Sequence, residues 1–341
     1  MKVSIIIPFY NVEAYIADCL QSVMRQTYTG SMECVLVNDC STDWSVALAE
    51  QLIADYAGPI AFQIVHHERN RGVAAARNTG MDALTGEYIF FLDSDDWISD
   101  DCIEKLAKPL QEKKLDIVIG DYESIGEPPC SLKLSLSEGQ YHEKGITKTF
   151  CDCGVYVMVW NKLYLRDFLY NNQLRFEEVK IYEDEIWTFD FSCIEKSFYV
   201  VKSVTYFYRI RENSIMTGSD QMKRIVGRIQ LLQSMKEKVR HYKNVKGIYD
   251  FYFFWVRRVF RWISKYEMNE EMLRYVQDHT RDCFEVIPGV CYLHNKHDRL
   301  TYFACRKDQS YKRFQYVTKE YSESIQGRIF RNVLNLLPAK G

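Results

Sequence analysis

EYIFFLDSDDW, residues 87–97, decides how this chain is read. Five apolar or aromatic residues, Tyr88 to Leu92, run straight into Asp93, Ser94, Asp95 and Asp96. The apolar run has the composition of a strand buried on both faces. Close carboxylates repel one another, so their ionised forms need a positive charge nearby. A divalent cation is one source of that charge, and a solvated turn is the plain alternative.

Working outward, strand-like and helix-like segments alternate from residue 3 to residue 122. VSIIIPFY (3–10), CVLVND (34–39), FQIVHH (62–67), EYIFFLD (87–93) and DIVIGDY (116–122) read as strands. Between them, Val12, Ile16, Cys19, Leu20 and Val23 follow helical spacing, as do Ala49, Leu52, Ile53 and Tyr56. Residues 72–84 and the set Ile103, Leu106, Ala107 and Leu110 complete the series. Such alternation predicts an α/β fold, an open and mostly parallel sheet with helices on both faces. Ligands of these sheets bind beyond the carboxyl ends of the strands. Pro8, Tyr10 and Asn11, then Asn38 and Asp39, then Glu68, Asn70 and Arg71, then the acids from Asp93 all fall at that edge. His66 and His67 read as structural strand-end residues.

A dinucleotide site would need a glycine-rich first turn, and a nucleotide kinase would need a P-loop. The first turn here is PFYNVEAY, without glycine, and no P-loop pattern occurs. The 11 cysteines show no regular spacing, and Cys151 and Cys153 lack a second pair, so zinc and a disulfide framework are not expected. The amino-terminal apolar run is broken by Pro8 and Glu13, which is short for a signal peptide. No uninterrupted apolar stretch has the length of a spanning helix. A cytosolic protein with reduced thiols is expected.

The 341 residues, 47% of them apolar, suit two domains. Residues 221–341 hold 24 Lys+Arg against 12 Asp+Glu, which leaves 20 against 34 for residues 1–220. A basic rear part of this kind suits an anionic surface or the acidic front itself. The boundaries are placed at 1–218, divided into 1–123 and 124–218, and at 219–341. Residues 124–150 read as a poorly patterned loop.

VSIIIPFYNVEAYIADCLQSVMRQTY, VLVNDCSTDWS and NRGVAAARNTGMDALTGEYIFFLDSDDW together resemble the nucleotide-sugar domain of glycosyltransferase family two. VWNKLYLRDFL, EDEIWTFDF and YFYRIRENSIMTG resemble the acceptor side of its bacterial polysaccharide and wall-polymer members. The resemblance covers residues 1–218. It implies the GT-A fold, a UDP-sugar donor, a glycan or lipid-linked glycan acceptor, an inverting reaction and a Mn²⁺ or Mg²⁺ cofactor. Asp93 and Asp95 match the family's Asp-x-Asp metal motif, which implies Asp95 as the more direct ligand and Asp93 as a contact to the donor ribose or to the metal, with Ser94 between them at the donor. Asp39 is expected to accept the uracil N–H, with Pro8 and Tyr10 shaping the slot and Glu13 near the base. Arg77 is expected to reach the nucleotide, with Asn70 nearby. Asp184 matches the base, and Glu183 is the runner-up or an acceptor ligand. Arg209, Arg211 and Ser214 are expected to close over the diphosphate. Lys162 lies on the acceptor side without an assigned role, and Asp96 reads as a helix-start or solvated acid.

Two other readings stay open. One is a sugar-nucleotide nucleotidyltransferase, and the other is an inactive family member serving as a scaffold. In the rear part, Ile225, Ile229, Leu232, Met235 and Val239 share a helical face. FYFFWVRRVFRWI (251–263) carries more rings than one narrow face can hold, so some are expected at the surface. SIQGRIFRNVLNLLPAKG (324–341) repeats the mixture of apolar and basic residues. This helical region either docks on the front domain or a second subunit, as a homo-oligomer would, or attaches peripherally to the inner membrane leaflet. No nucleic-acid motif is present.

Overall fold

The computed structural model describes residues 1–127, 154–179, 181–211, 221–263 and 269–280, with residues 129, 134–144, 146, 149, 266, 282, 283 and 286. The chain divides into two compact units, Met1–Gly218 and Ser219–Gly341.

The first unit is organised by β1 (Lys2–Phe9), whose residues 3–9 are all buried. It pairs in parallel with β2 (Ser31–Asn38) on one side and β4 (Tyr88–Phe91) on the other. β3 (Ala61–His66) extends the parallel block beyond β2. α1 (Ile16–Met24), α2 (Ser45–Ala54) and α3 (Val73–Ala83) are the intervening helices. Gly80 lets α3 lie close on the sheet, since a Cβ there would come within 2.4 Å of Ile6 Cγ2.

Beyond β4 the sheet is mixed. The sequence reading places the strand at 116–122 next in the alternating series. In the structure β6 (Ile117–Ile125) does not pair with β4, because β8 (Lys162–Leu165) lies between them, antiparallel to both. β9 (Lys196–Arg209) then runs parallel to β6 and antiparallel to the short β5 (Trp97–Ile98). β7 (Gly139–Glu143), inside the stretch expected to be a loop, pairs antiparallel with β9. α4 (Cys102–Ala107) follows β5, α5 (Arg166–Asn171) follows β8, and α6 (Glu183–Ser192) precedes β9. Tyr88, Phe90, Phe91, Trp160, Tyr164, Phe176 and Trp187 fill the core below the β4 edge. Burial of rings this large dominates the stability of such a core.

In the second unit, α7 (Gln221–His241) buries the expected face, including Ile225, Ile229, Leu232, Met235 and Val239. α8 (Ile248–Ile263) and α9 (Glu270–Thr280) follow. Of the rings on α8, Phe251, Tyr252, Phe253, Trp255 and Phe260 are buried, and Phe254 and Trp262 are half-buried, so the surface rings expected there come down to these two. The guanidinium of Arg228 lies 3.6 Å from the Trp262 ring centre and that of Arg258 4.6 Å. Cation–π contact thus seats two of the basic residues of this unit against a ring. Residues 324–341 lie outside the described residues. Among the described residues, no helix is long and apolar enough to cross a membrane.

Candidate active site

The carboxyl ends of β1 to β4 share one edge, and the loops leaving them are tied together. After β1, Asn11 adopts φ 49°. Its N–H donates to Ser41 Oγ at 3.1 Å, and its Oδ1 accepts from Thr42 N at 2.8 Å. Val12 N donates to Ser45 Oγ at 2.7 Å. Glu13 N donates to Asp43 Oδ2 at 3.0 Å, while Glu13 Oε2 accepts from Trp44 N at 2.9 Å. Glu13 therefore acts on the loop after β2. Pro8 is buried in β1 opposite Val37. Tyr10 and Trp44 are 46% and 72% exposed, so two aromatic faces stand free on the two laced loops.

Asp39 is buried and holds the loop before α3. Its Oδ1 accepts from His67 Nδ1 at 2.7 Å and from Arg71 N at 2.8 Å, and its Oδ2 from Gly72 N at 2.7 Å. Gly72 has φ 91°, a conformation that favours glycine, and it caps α3. His67 Nε2 meets Thr79 Oγ1 at 2.9 Å, which gives His67 its structural place. Each carboxylate oxygen accepts about two hydrogen bonds. Oδ1 is thus filled, and Oδ2 keeps one position. Asn70 is exposed.

The centre of the site is Arg77, on α3 and only 2% exposed. Its Nη2 donates to Asp93 Oδ1 at 2.8 Å. Its Nη1 donates to Glu183 Oε1 and to Asp184 Oδ1, both at 2.9 Å. These three bonds join Arg77 to carboxylates of two separate segments. Glu183 and Asp184 open α6, where the helix dipole favours acids. Tyr182 enters that helix at φ 70° and sets its direction. Burial pushes the Asp184 carboxyl up to about 7; Glu183 and Asp93 add to this, against the pull of Arg77 and Lys162. Burial raises Glu183 as well, again opposed by Arg77. Lys162, fully enclosed on β8, donates to Met158 O and lies 3.7 Å from the Tyr156 ring centre. Burial holds its ammonium well below the usual lysine range, and Asp184 opposes that.

Asp95 Oδ2 pairs with Arg211 Nε at 2.7 Å. Its carboxyl is raised by burial and by Asp93, against Arg211. Ser94 is buried between the two acids. Asp96 is neither a helix start nor a solvated acid. It is 1% exposed, and it accepts from Tyr206 OH at 2.6 Å and from Arg209 N at 2.7 Å. It joins the end of β4 to β9. Arg209 serves the same join: its Nε donates to Asp95 O at 3.0 Å, its Nη2 to Asp18 Oδ2 at 2.8 Å, and it lies 4.6 Å from the Trp97 ring centre. The expected closure over a diphosphate would have to release these contacts. Ser214 lies outside the described residues.

Sequence reasoning missed the shelf beneath Arg77. Phe176 lies 5.3 Å from the guanidinium and stacks on Trp187 of α6 at 4.2 Å and 11°. Asn78, next to Arg77 on α3, grips the Phe176 backbone through Nδ2 to O at 2.8 Å and N to Oδ1 at 2.9 Å. The adjacent pair Arg77-Asn78, both polar in a run of alanines, was the available signal.

As to a metal, no group of three His, Cys, Asp or Glu among the described residues is placed to hold one. The arginine pairs engage Asp93 Oδ1 and Asp95 Oδ2, leaving Asp93 Oδ2 and Asp95 Oδ1 outside them. Two hard oxygens beside a buried, like-charged carboxylate suit a Mg²⁺-type ion whose other ligands come from a ligand and water.

Residues 4–192 match the family model described as glycosyl transferase family 2. The glycosyltransferase GlyA of Streptococcus pneumoniae serotype 4 is 35% identical over 226 residues, which is 63% of this chain and 31% of GlyA. The poly(ribitol-phosphate) beta-N-acetylglucosaminyltransferase TarS of Staphylococcus aureus strain MW2 is 28% identical over 226 residues, 64% of this chain and 37% of TarS. The chain thus spans well under half the length of either relative. A crystal structure of S. aureus TarS 1-349 in complex with UDP-GlcNAc superposes with a TM-score of 0.74 at 20% identity, covering 95% of this chain and 92% of that one. At that identity the likeness speaks for the fold.

Proposed function

The chain belongs to glycosyl transferase family 2, and from that premise we propose that it is an inverting glycosyltransferase. It moves a sugar from a UDP-sugar to a hydroxyl of a glycan or lipid-linked glycan and forms a β-linkage. The observation that carries this reading is the gathering of Asp93, Glu183 and Asp184 on one buried guanidinium at the carboxyl edge of the sheet. TarS acts on poly(ribitol-phosphate) by name, which supports a cell-surface polymer as the acceptor class.

In this mechanism Asp39 Oδ2 offers its remaining lone pair to the uracil N–H, and Tyr10 stacks on the ring. Glu13 positions that wall through Trp44 N. Asp93 and Asp95, flanking Ser94, would hold Mn²⁺ or Mg²⁺. Such an ion, when bound, supplies charge stabilisation for the departing diphosphate. Arg211, which pairs with Asp95, would pair with a phosphate oxygen. The acceptor oxygen attacks the anomeric carbon, its proton passes to Asp184, and the bond to UDP breaks with its electron pair staying on UDP. A carboxyl held near 7 suits a base that works at neutral pH. Glu183, which shares Arg77 with Asp184, would bind the acceptor.

The test is calorimetric titration with UDP, with and without Mn²⁺, beside GDP, CDP and NAD. Metal-dependent binding selective for UDP supports the reading. A folded sample that binds none of them would favour a scaffold, and NAD selectivity would overturn the donor site.

A further inference from the structure

Resting on the reading of Asp184 as base, we propose that Arg77 is a positioning residue that joins the donor aspartate Asp93 to Asp184, and not a nucleotide contact. Three observations point there. First, the guanidinium is 2% exposed, and both of its Nη atoms are spent on carboxylates from two separate segments. Asp93 follows β4, whereas Glu183 and Asp184 begin α6, far along the chain. A planar fork is the side-chain geometry that can span them. Second, the seat of that fork is built to be stiff. Phe176 lies below it and stacks on Trp187, one helical turn beyond Asp184. Third, α3 holds the same seat with the next residue, since Asn78 makes two hydrogen bonds to the Phe176 backbone. Adjacent residues of one helix thus fix α6 by charge and, through Phe176, by ring packing.

The consequence is that the donor aspartate and the base share one support. Whatever moves Asp93 moves the fork, and through it the carboxylate that must meet the acceptor hydroxyl. Misplacing a base by about 1 Å is enough to cost on the order of 100-fold in rate.

The experiment uses the full chain, UDP·Mn²⁺ calorimetry, and UDP release from UDP-GlcNAc and UDP-glucose with water as acceptor. Arg77→Lys keeps a positive charge without the fork. The expected result is UDP release lowered on the order of 100-fold, with UDP affinity within about threefold of the parent. UDP affinity weakened by about tenfold or more would overturn the proposal and give Arg77 to the nucleotide. Unchanged release would also overturn it and leave a purely structural ion pair. Should Arg77→Lys fail to fold, Phe176→Leu serves instead, because it removes the shelf and leaves all three ion pairs. It should show the same split at about tenfold, and unchanged release there refutes the proposal. Asp184→Asn is the reference. Normal release in that variant removes the base assignment itself; loss of release in it beside full release in Arg77→Lys removes only the role given to Arg77.

Discussion

Replacing Asp184 with asparagine should abolish turnover and at the same time stabilise the fold, by an amount that depends on pH. The reason is burial of the Asp184 carboxyl, to which the other carboxylates around Arg77 add: one positive charge faces three acids. The Asp184 carboxyl moves from 3.8 to about 7 on folding, with burial as the largest cause. Between those values the unfolded chain has released the proton and the folded chain still holds it. Stability is therefore lost as pH rises from about 4 to about 7, and is level with respect to this group above that. Three pH units correspond to on the order of 4 kcal/mol at full ionisation. Asparagine is the neutral isostere of the protonated acid, so the variant escapes this loss, and Arg77 keeps Asp93 and Glu183. Melting of parent and variant should thus nearly coincide at about pH 4, diverge as pH rises, and differ by a constant amount above about pH 7, at roughly 2–4 °C per kcal/mol. A variant that melts below the parent at about pH 8, or a gap that ignores pH, would refute the reasoning.

Three further outcomes follow from the same structure. UDP release should fall about tenfold per unit as pH drops below about 7, since the base must be ionised, and a flat profile down to about pH 5 would remove Asp184 from that role. Burial would raise the carboxyl of Glu33, but its bonds to Lys2, Ser4 and Thr85 outweigh this and hold it at about 2. Its stabilisation is present above the ordinary value of 4.5 and lost as pH falls toward 2, so Glu33→Gln should cost about 1–3 kcal/mol at neutral pH in urea unfolding. Gly80→Ala would place a Cβ within 2.4 Å of Ile6 Cγ2 and should cost about 1–3 kcal/mol while leaving UDP affinity unchanged; equal stability would mean that α3 can slide.

The parallel block was legible because its strands are apolar runs and its helices repeat every three to four residues, which are local signals. β8 was not, because nothing local in KLYL says that it will slip between β4 and β6 and run the other way. β7 was hidden in a segment of weak alternation whose partner, β9, lies far along the chain. The site shows the same division. The acids at 93, 95, 183 and 184 stand out by clustering, whereas the partners of Arg77 are 16 to 107 positions away. Asp96 looked like its neighbours in sequence, and only burial against Tyr206 separates it from them.

The bonds between the loops after β1 and β2 bear on how this edge can be altered. Neither loop owns its conformation: Asn11 is shaped by Ser41 and Thr42, and Trp44 by Glu13. Exchange of one loop with a homologue would bring in side chains without the partners that seat them. The two segments, 10–13 and 41–45, form one heritable cassette. Substitutions at Ser41 or Asp43 should therefore retune the wall that carries Tyr10 from across the seam, without touching the ligand themselves.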